Sequence, residues 1–317
     1  MTARATRVAC TTLAILAVLA TGCSDTPSPM ADDVHAGHVP GGVTVAAGAP
    51  APTRHTGPQG GFGQFVIECD YSHSAPDDPI VHPAMPGMSH RHDFFGNTDT
   101  DAFSTADSLL EADDTTCQNR ADTAAYWAPT LLDGGEPVTP RTSAAYYRAA
   151  PDVELRDVEP FPHGLMVVAG DMTSDADDPQ PVDLAGWGCG VSTRLSPTPP
   201  NCPTSAPLRG VVTFPDCWDG VRLDSPDHRS HMANSTDGQC PASHPVHVPQ
   251  LTFAITYPIT GTDHDLTLAS GSTHGFHSDF VNAWDQEHLT EKVELCLHRD
   301  AVCGLSSNRS EEPLFSG

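Results

Sequence analysis

Lysine is almost missing from this chain of 317 residues: Lys292 is the only one. Schiff-base chemistry therefore has a single candidate, in an ordinary helical setting. Cations of both kinds number 15 against 41 acids, a formal charge of −26. With no basic stripe anywhere, such a surface repels nucleic acid and anionic lipid headgroups. Aromatic residues make up 6% of the chain. Beyond the first 23 residues no apolar run approaches the roughly 20 residues that a spanning helix needs. There is no Cys-x-x-Cys pair, so neither a zinc ribbon nor a thioredoxin-type site is expected. No Gly-x-Ser-x-Gly elbow occurs, no phosphate-cradling loop, and no Gly-x-Gly-x-x-Gly after a strand. Nucleophilic serine catalysis and nucleotide cofactors lose their usual supports.

What is present begins at the amino terminus. Residues 1–23, "MTARATRVACTTLAILAVLATGC", place Arg4 and Arg7 before an apolar run from Val8 to Ala20 and close on small residues. That is the pattern of an export signal, too short to span a bilayer. "LATGC" resembles a bacterial lipobox, which makes Cys23 the expected lipidation site; simple secretion is the alternative, and either places the mature chain outside the cytoplasm. Residues 24–63, rich in Pro, Gly, Ala and Asp, read as a flexible tether. Setting aside Cys10 and Cys23 leaves Cys69, Cys117, Cys189, Cys202, Cys217, Cys240, Cys296 and Cys303. An even number in an exported chain suggests four disulfides, although eight cysteines allow on the order of a hundred connectivities. Proximity along the chain favours Cys189 with Cys202, Cys217 with Cys240 and Cys296 with Cys303, leaving Cys69 for Cys117.

Residues 64–303 read as one β-rich domain, with residues 304–317 a disordered tail. Strand-like runs are "QFVIEC" from Gln64, "GLMVVAG" from Gly164, "GVVTF" from Gly210, "LTFAITY" from Leu251 and "DLTLAS" from Asp265, bounded by Pro, Gly or Asp. Helical spacing occurs only in "TADSLLEA" near Ser104 and "AWDQEHLTEKVELCL" from Ala283. Thirty prolines favour loops over long helices. The expectation is a disulfide-stapled β-sandwich or jelly roll with long loops and one or two short helices, its function on those loops.

Histidines supply the candidate chemistry. His90 and His92, two apart in "GMSHRHDFFGN", point to one face of an extended segment. His277 and Asp279 do likewise in "GFHSDFVNAWD". In "FPDCWDGVRLDSPDHRSHMA", from Phe214 to Ala233, a single helical turn would bring His228 and His231 together.

The order of these strings resembles a known family. "DPIVHP", "SHRHDFFGN", "AAYWAPTL", "AYYRA", "FPHGLMVVAGD", "WGC", "FPDCWDGVRLDSPDHRSHMA", "CPASHP" and "HSDFVNAW" resemble the secreted family catalogued as domain of unknown function nineteen ninety-six. It occurs in fungi and actinobacteria and is sometimes joined to WSC carbohydrate-binding modules. The resemblance implies no settled activity; the link to those modules points towards extracellular glycans.

Three accounts of the residues stand at this point. In the first, His90, His92, Asp219, His228, His231, His277 and Asp279 form a catalytic cleft that hydrolyses or eliminates a polysaccharide, with Tyr126, Trp127 or Trp218 as a sugar-stacking face. Such chemistry wants titratable groups whose pKa values are pushed apart. In the second, His90, His92, His228 and His231, with His277 and Asp279 in reach, hold a divalent metal, zinc or copper, or calcium on the acidic loops. The third is structural: Asp224 and Asp227 cap turns, and the aromatics and Cys217 pack the core. The expectation is the first, an extracytoplasmic, lipid-anchored protein acting on cell-wall or extracellular polysaccharide. The alternative is a non-catalytic surface module that binds glycan or metal.

Overall fold

The computed structural model describes residues 63–112 and 114–303. The signal, Cys23, the tether and the tail lie outside the described residues, apart from Gly63. Ten strands form the main sheet: β1 (Gln64–Ala75), β2 (His92–Gly96), β3 (Ala125–Pro129), β4 (Thr142–Arg148), β5 (Met166–Gly170), β6 (Ala185–Cys189), β7 (Leu208–Thr213), β8 (Gln250–Thr256), β9 (His277–Val281) and β10 (Val302–Cys303). Their order is β5-β9-β3-β2-β1-β4-β8-β7-β6, antiparallel throughout, with β10 parallel to the start of β1. Two short helices flank the sheet, α1 (Ala106–Ala112) and α2 (Gln286–Lys292). The mainly β class expected from the sequence is the class observed.

The sheet doubles back on itself because β1 is long enough to serve two neighbours. Its first half, Gln64 to Asp70, pairs with β4, and its second half, Tyr71 to Ala75, pairs with β2 across a register shift. The two halves face each other as the layers of a sandwich, and alternation along each strand supplies the filling. Phe65 and Ile67 of β1, Tyr147 of β4, Leu251, Phe253 and Ile255 of β8, Tyr126 of β3 and Phe280 of β9 all point inward. Tyr126 stacks on Phe253 with centroids 5.3 Å apart, tying one layer to the other.

Alternation also dictates what the opposite face presents. On the layer built from β5, β9, β3 and β2, the residues between the inward ones are Val168, Val281, Trp127 and Phe94, which form a second apolar cluster with Ile80, Ala106 and Leu109. His92, His277 and Asp279 fall on this same outer face, since β9 pairs Asp279 with both Trp127 and Val168. They are roofed by the loop between β1 and β2 and by the loop that contains His228.

Four disulfides join Cys69 to Cys117, Cys189 to Cys202, Cys217 to Cys240 and Cys296 to Cys303. The Cys217 bridge closes the loop that roofs the outer face, which lowers the entropy cost of holding it there.

Candidate functional site

Three imidazoles meet beside a cavity of about 380 Å³, which His90 and His277 line while His92 is fully buried next to them. His92 sits at the first position of β2 and His90 just before it; their ring centroids are 4.2 Å apart. The ring of His277, which opens β9, stands edge-on to His90 at 5.2 Å. One nitrogen from each of the three lies within 4.8 Å of the others, and the same spacing gathers Asp78, His92 and Asp279. His92 belongs to both groups.

The ring orientations are fixed by backbone carbonyls. The Nδ1–H of His92 donates to the Asp77 carbonyl at 2.9 Å and that of His277 to the Gly275 carbonyl at 2.8 Å. Each bond directs the proton to Nδ1 and leaves the lone pair of Nε2 aimed at the cluster, the arrangement seen around metal-bound imidazoles. The Nε2 atoms of His90 and His92 and Oδ1 of Asp279 are buried and have no hydrogen-bond partner among the described residues. Unpaired buried polar atoms are costly, and several converging on one point call for an explanation.

Charge follows burial. His92 is fully buried and Asp279 is 1% exposed. Desolvation holds His92 well below the usual imidazole range, helped by His90 and His277, and brings His277 down to about 4. His90 is lowered too, by its burial and by His82. At neutral pH all three are uncharged and able to donate lone pairs. Asp279 is raised well above the carboxylate range by burial and then by Asp78, whose own pKa is raised by burial. Burial thus pushes both carboxyls towards their protonated form beside a cluster of neutral rings, and Arg229 is the cation that opposes this shift at Asp279.

Gly170 makes the close approach possible. It has φ of +79°, and a Cβ there would stand 2.8 Å from Cα of His277 and 2.7 Å from the Phe276 carbonyl oxygen.

Across the cavity lies the loop of the "SPDHRSH" string. His228 adopts φ of +58°, unusual for a residue with a side chain, and its Nδ1 is 2.9 Å from Oδ2 of Asp224. Arg229 follows it and also lines the cavity, and its guanidinium makes no hydrogen bond or ion pair among the described residues. The same Arg229, with Val168 and Asp171, continues into a second hollow of about 430 Å³.

The left-handed turn at His228 replaces the expected helical turn and separates the two histidines of that string. His231 turns inward, fully buried, with Nδ1 bonded to Ser225 Oγ at 2.9 Å and Nε2 to the Met166 carbonyl at 2.7 Å. Both nitrogens are occupied, so His231 is a structural residue, neither ligand nor base. His228 stands apart from the three-imidazole cluster as well; His277 is the third member.

Asp219 is also structural: it accepts from the N–H groups of Val221 and Arg222 and pairs with the Arg222 guanidinium at 2.6 Å. The aromatic platform does not form. Tyr126 and Trp127 have no surface. The Tyr126 phenol is tied to Asp122 and Tyr147 between the layers, and Trp127 packs on Phe94 under the site. Trp218 is half-buried, its indole N–H donating to the Arg222 carbonyl at 2.6 Å. Asp78, His82 and Arg229 were not singled out by spacing; Asp78 and His82 belong to "DDPIVHP", where nothing local marks either as part of a site.

The family model described as Domain of unknown function (DUF1996) matches residues 78–284. The chain belongs to this family. The matched span of the DUF1996 domain starts at Asp78 and takes in every residue of the cavity, whereas β1, which joins the two layers, lies before it. No curated protein and no solved structure matches the chain significantly.

Proposed function

We propose that this DUF1996 protein is an exported domain that binds a divalent transition metal on His90, His92 and His277 and uses that centre on an extracellular polysaccharide in the cavity above it. The supporting observation is the trio of neutral imidazoles within 4.8 Å, two of them with buried, partnerless nitrogens. A nitrogen-rich set favours zinc or copper over calcium, which prefers six or more oxygens. Asp78 and Asp279 lie close enough to complete the coordination or to receive a hydrogen bond from a bound water. Four disulfides fit an oxidising compartment. The leader points the same way, with lipidation at Cys23 as the anchor. The polysaccharide follows from the family's association with WSC modules.

Metal analysis of untagged protein, purified without chelator, tests the centre: close to one equivalent of zinc or copper is expected, and its loss in His92→Ala. A protein that takes up neither metal under saturating conditions refutes it. Incubation with cell-wall and acidic polysaccharides, with and without chelator, tests the activity. Retention on glycan with no change in chain length would identify the non-catalytic module.

A further inference from the structure

Resting on that reading, we infer that His228 is the general base of a β-elimination on a uronate-containing polysaccharide, with Asp224 positioning its ring and Arg229 holding the sugar carboxylate. The inference starts from which groups the cavity offers to a ligand. Asp279 is 1% exposed and Asp78 4%, so the pair of carboxyls beside the imidazoles is closed to a sugar. Asp171 is engaged by the N–H and hydroxyl of Thr173. Asp227 accepts from Ser225 Oγ and from the Ser230 N–H. Hydrolysis needs one of two facing carboxyl groups to be protonated, and hydrogen bonds hold the two exposed carboxyls of the cavity, Asp171 and Asp227, below the usual carboxylate range. An imidazole and a guanidinium stand beside them.

His228 has the geometry of an oriented base. Asp224 takes its Nδ1–H, through Oδ2 at 2.9 Å and Oδ1 at 3.1 Å, which leaves the Nε2 lone pair unused by the fold. The left-handed backbone at this non-glycine position is a strain that persists where the surroundings require it. Arg229 is adjacent, faces the same cavity, and has a planar fork suited to a carboxylate. In a chain of charge −26 with only 15 cations, a guanidinium that makes no hydrogen bond or ion pair among the described residues, beside the candidate centre, suits an acidic ligand.

The step balances without an external oxidant or reductant. Nε2 of His228 removes the proton from C5 of the uronosyl residue, whose carboxylate is held by Arg229. The electron pair forms the C4=C5 double bond as the C4–O4 bond breaks. The departing oxygen takes a proton from water, the hydroxide left behind takes the proton held by His228 and restores the base, and the two products are a shortened chain and a chain with an unsaturated end.

The test uses the full mature protein, metal-loaded, on polygalacturonate, alginate and glucuronan, with an uncharged β-glucan as control. Unsaturated, ultraviolet-absorbing ends are expected from at least one polyuronate and none from the β-glucan. His228→Asn, chosen because Asn tolerates the left-handed backbone, is expected to lose ~100-fold or more in kcat with its metal content unchanged. Asp224→Asn should lower kcat at unchanged KM, and Arg229→Gln should raise KM, each with full metal occupancy. New reducing ends without unsaturation, equal cleavage of the β-glucan, full activity in His228→Asn, or no product from any polyuronate by metal-loaded protein overturns the inference. Absence of bound metal is read separately and bears on the centre itself.

Discussion

Replacing His277 by Gln in the metal-free protein should remove a specific part of its response to acid. His277 is 4% exposed, and burial lowers its pKa from 6.5 to about 4, against the opposing hydrogen bond to Gly275. The folded state therefore binds this proton less readily than the unfolded chain. Its contribution to stability is complete above pH 6.5 and is lost as pH falls towards 4. A gap of that size corresponds to about 3 kcal/mol, a large share of the ~5–15 kcal/mol that holds a typical domain together. Asp93, raised to about 6 by burial, acts in the opposite direction between its unfolded value of 3.8 and 6, where stability grows as pH falls. The raw pH profile of one protein thus mixes opposing slopes. The difference between wild type and His277→Gln isolates the imidazole. Urea unfolding with disulfides intact, at several pH values from 7.5 to 4, should show wild type losing about 3 kcal/mol relative to the variant. A difference that stays flat across this range would refute the claim that burial keeps His277 neutral. Zinc at a hundred times its Kd should add about 3 kcal/mol to wild type at neutral pH, and acid should remove that gain as the three imidazoles take up protons.

Gly170→Ala places a Cβ against His277 at a positive φ; a cost of ~1–3 kcal/mol is expected, together with lost metal affinity, read by unfolding and metal titration of the same sample. His231→Leu takes a hydrogen-bond donor from the Met166 carbonyl and a partner from the Ser225 hydroxyl and should cost ~1–3 kcal/mol, yet the folded fraction should still bind metal; metal lost in the folded fraction would return His231 to the site. Removing the Cys217–Cys240 bridge, which spans 23 positions, should cost about 3 kcal/mol and speed proteolysis of the 219–240 loop ahead of the rest of the domain.

The sequence announced the strands of one layer more clearly than those of the other. "QFVIEC", "LTFAITY" and "GVVTF" became β1, β8 and β7, because alternating β-branched and aromatic residues between turn-formers leave few other options. β2 and β9 were harder to recognise as strands. They are five residues each, and both are buried on both faces, so His92, His277 and Asp279 interrupt the apolar signal that marks a strand. The two-residue spacings did identify which side chains share a face. Which histidines meet depends on strand order, and β3 inserting between β2 and β9 has no local signature. His231 could not be told from His228 by composition: one φ value at residue 228 sends the two rings in different directions. The disulfide pairs were within reach because three of the four close short loops.

The strand arrangement also has a consequence for how the protein matures. The imidazoles of β2 are made early, but their third companion arrives only with β9, close to the carboxyl end and flanked on both sides by strands already in place. A chain made from its amino terminus cannot assemble a three-nitrogen nest until nearly all of it has been made, so occupancy of the proposed centre by an ion would serve as a record that the sandwich has closed.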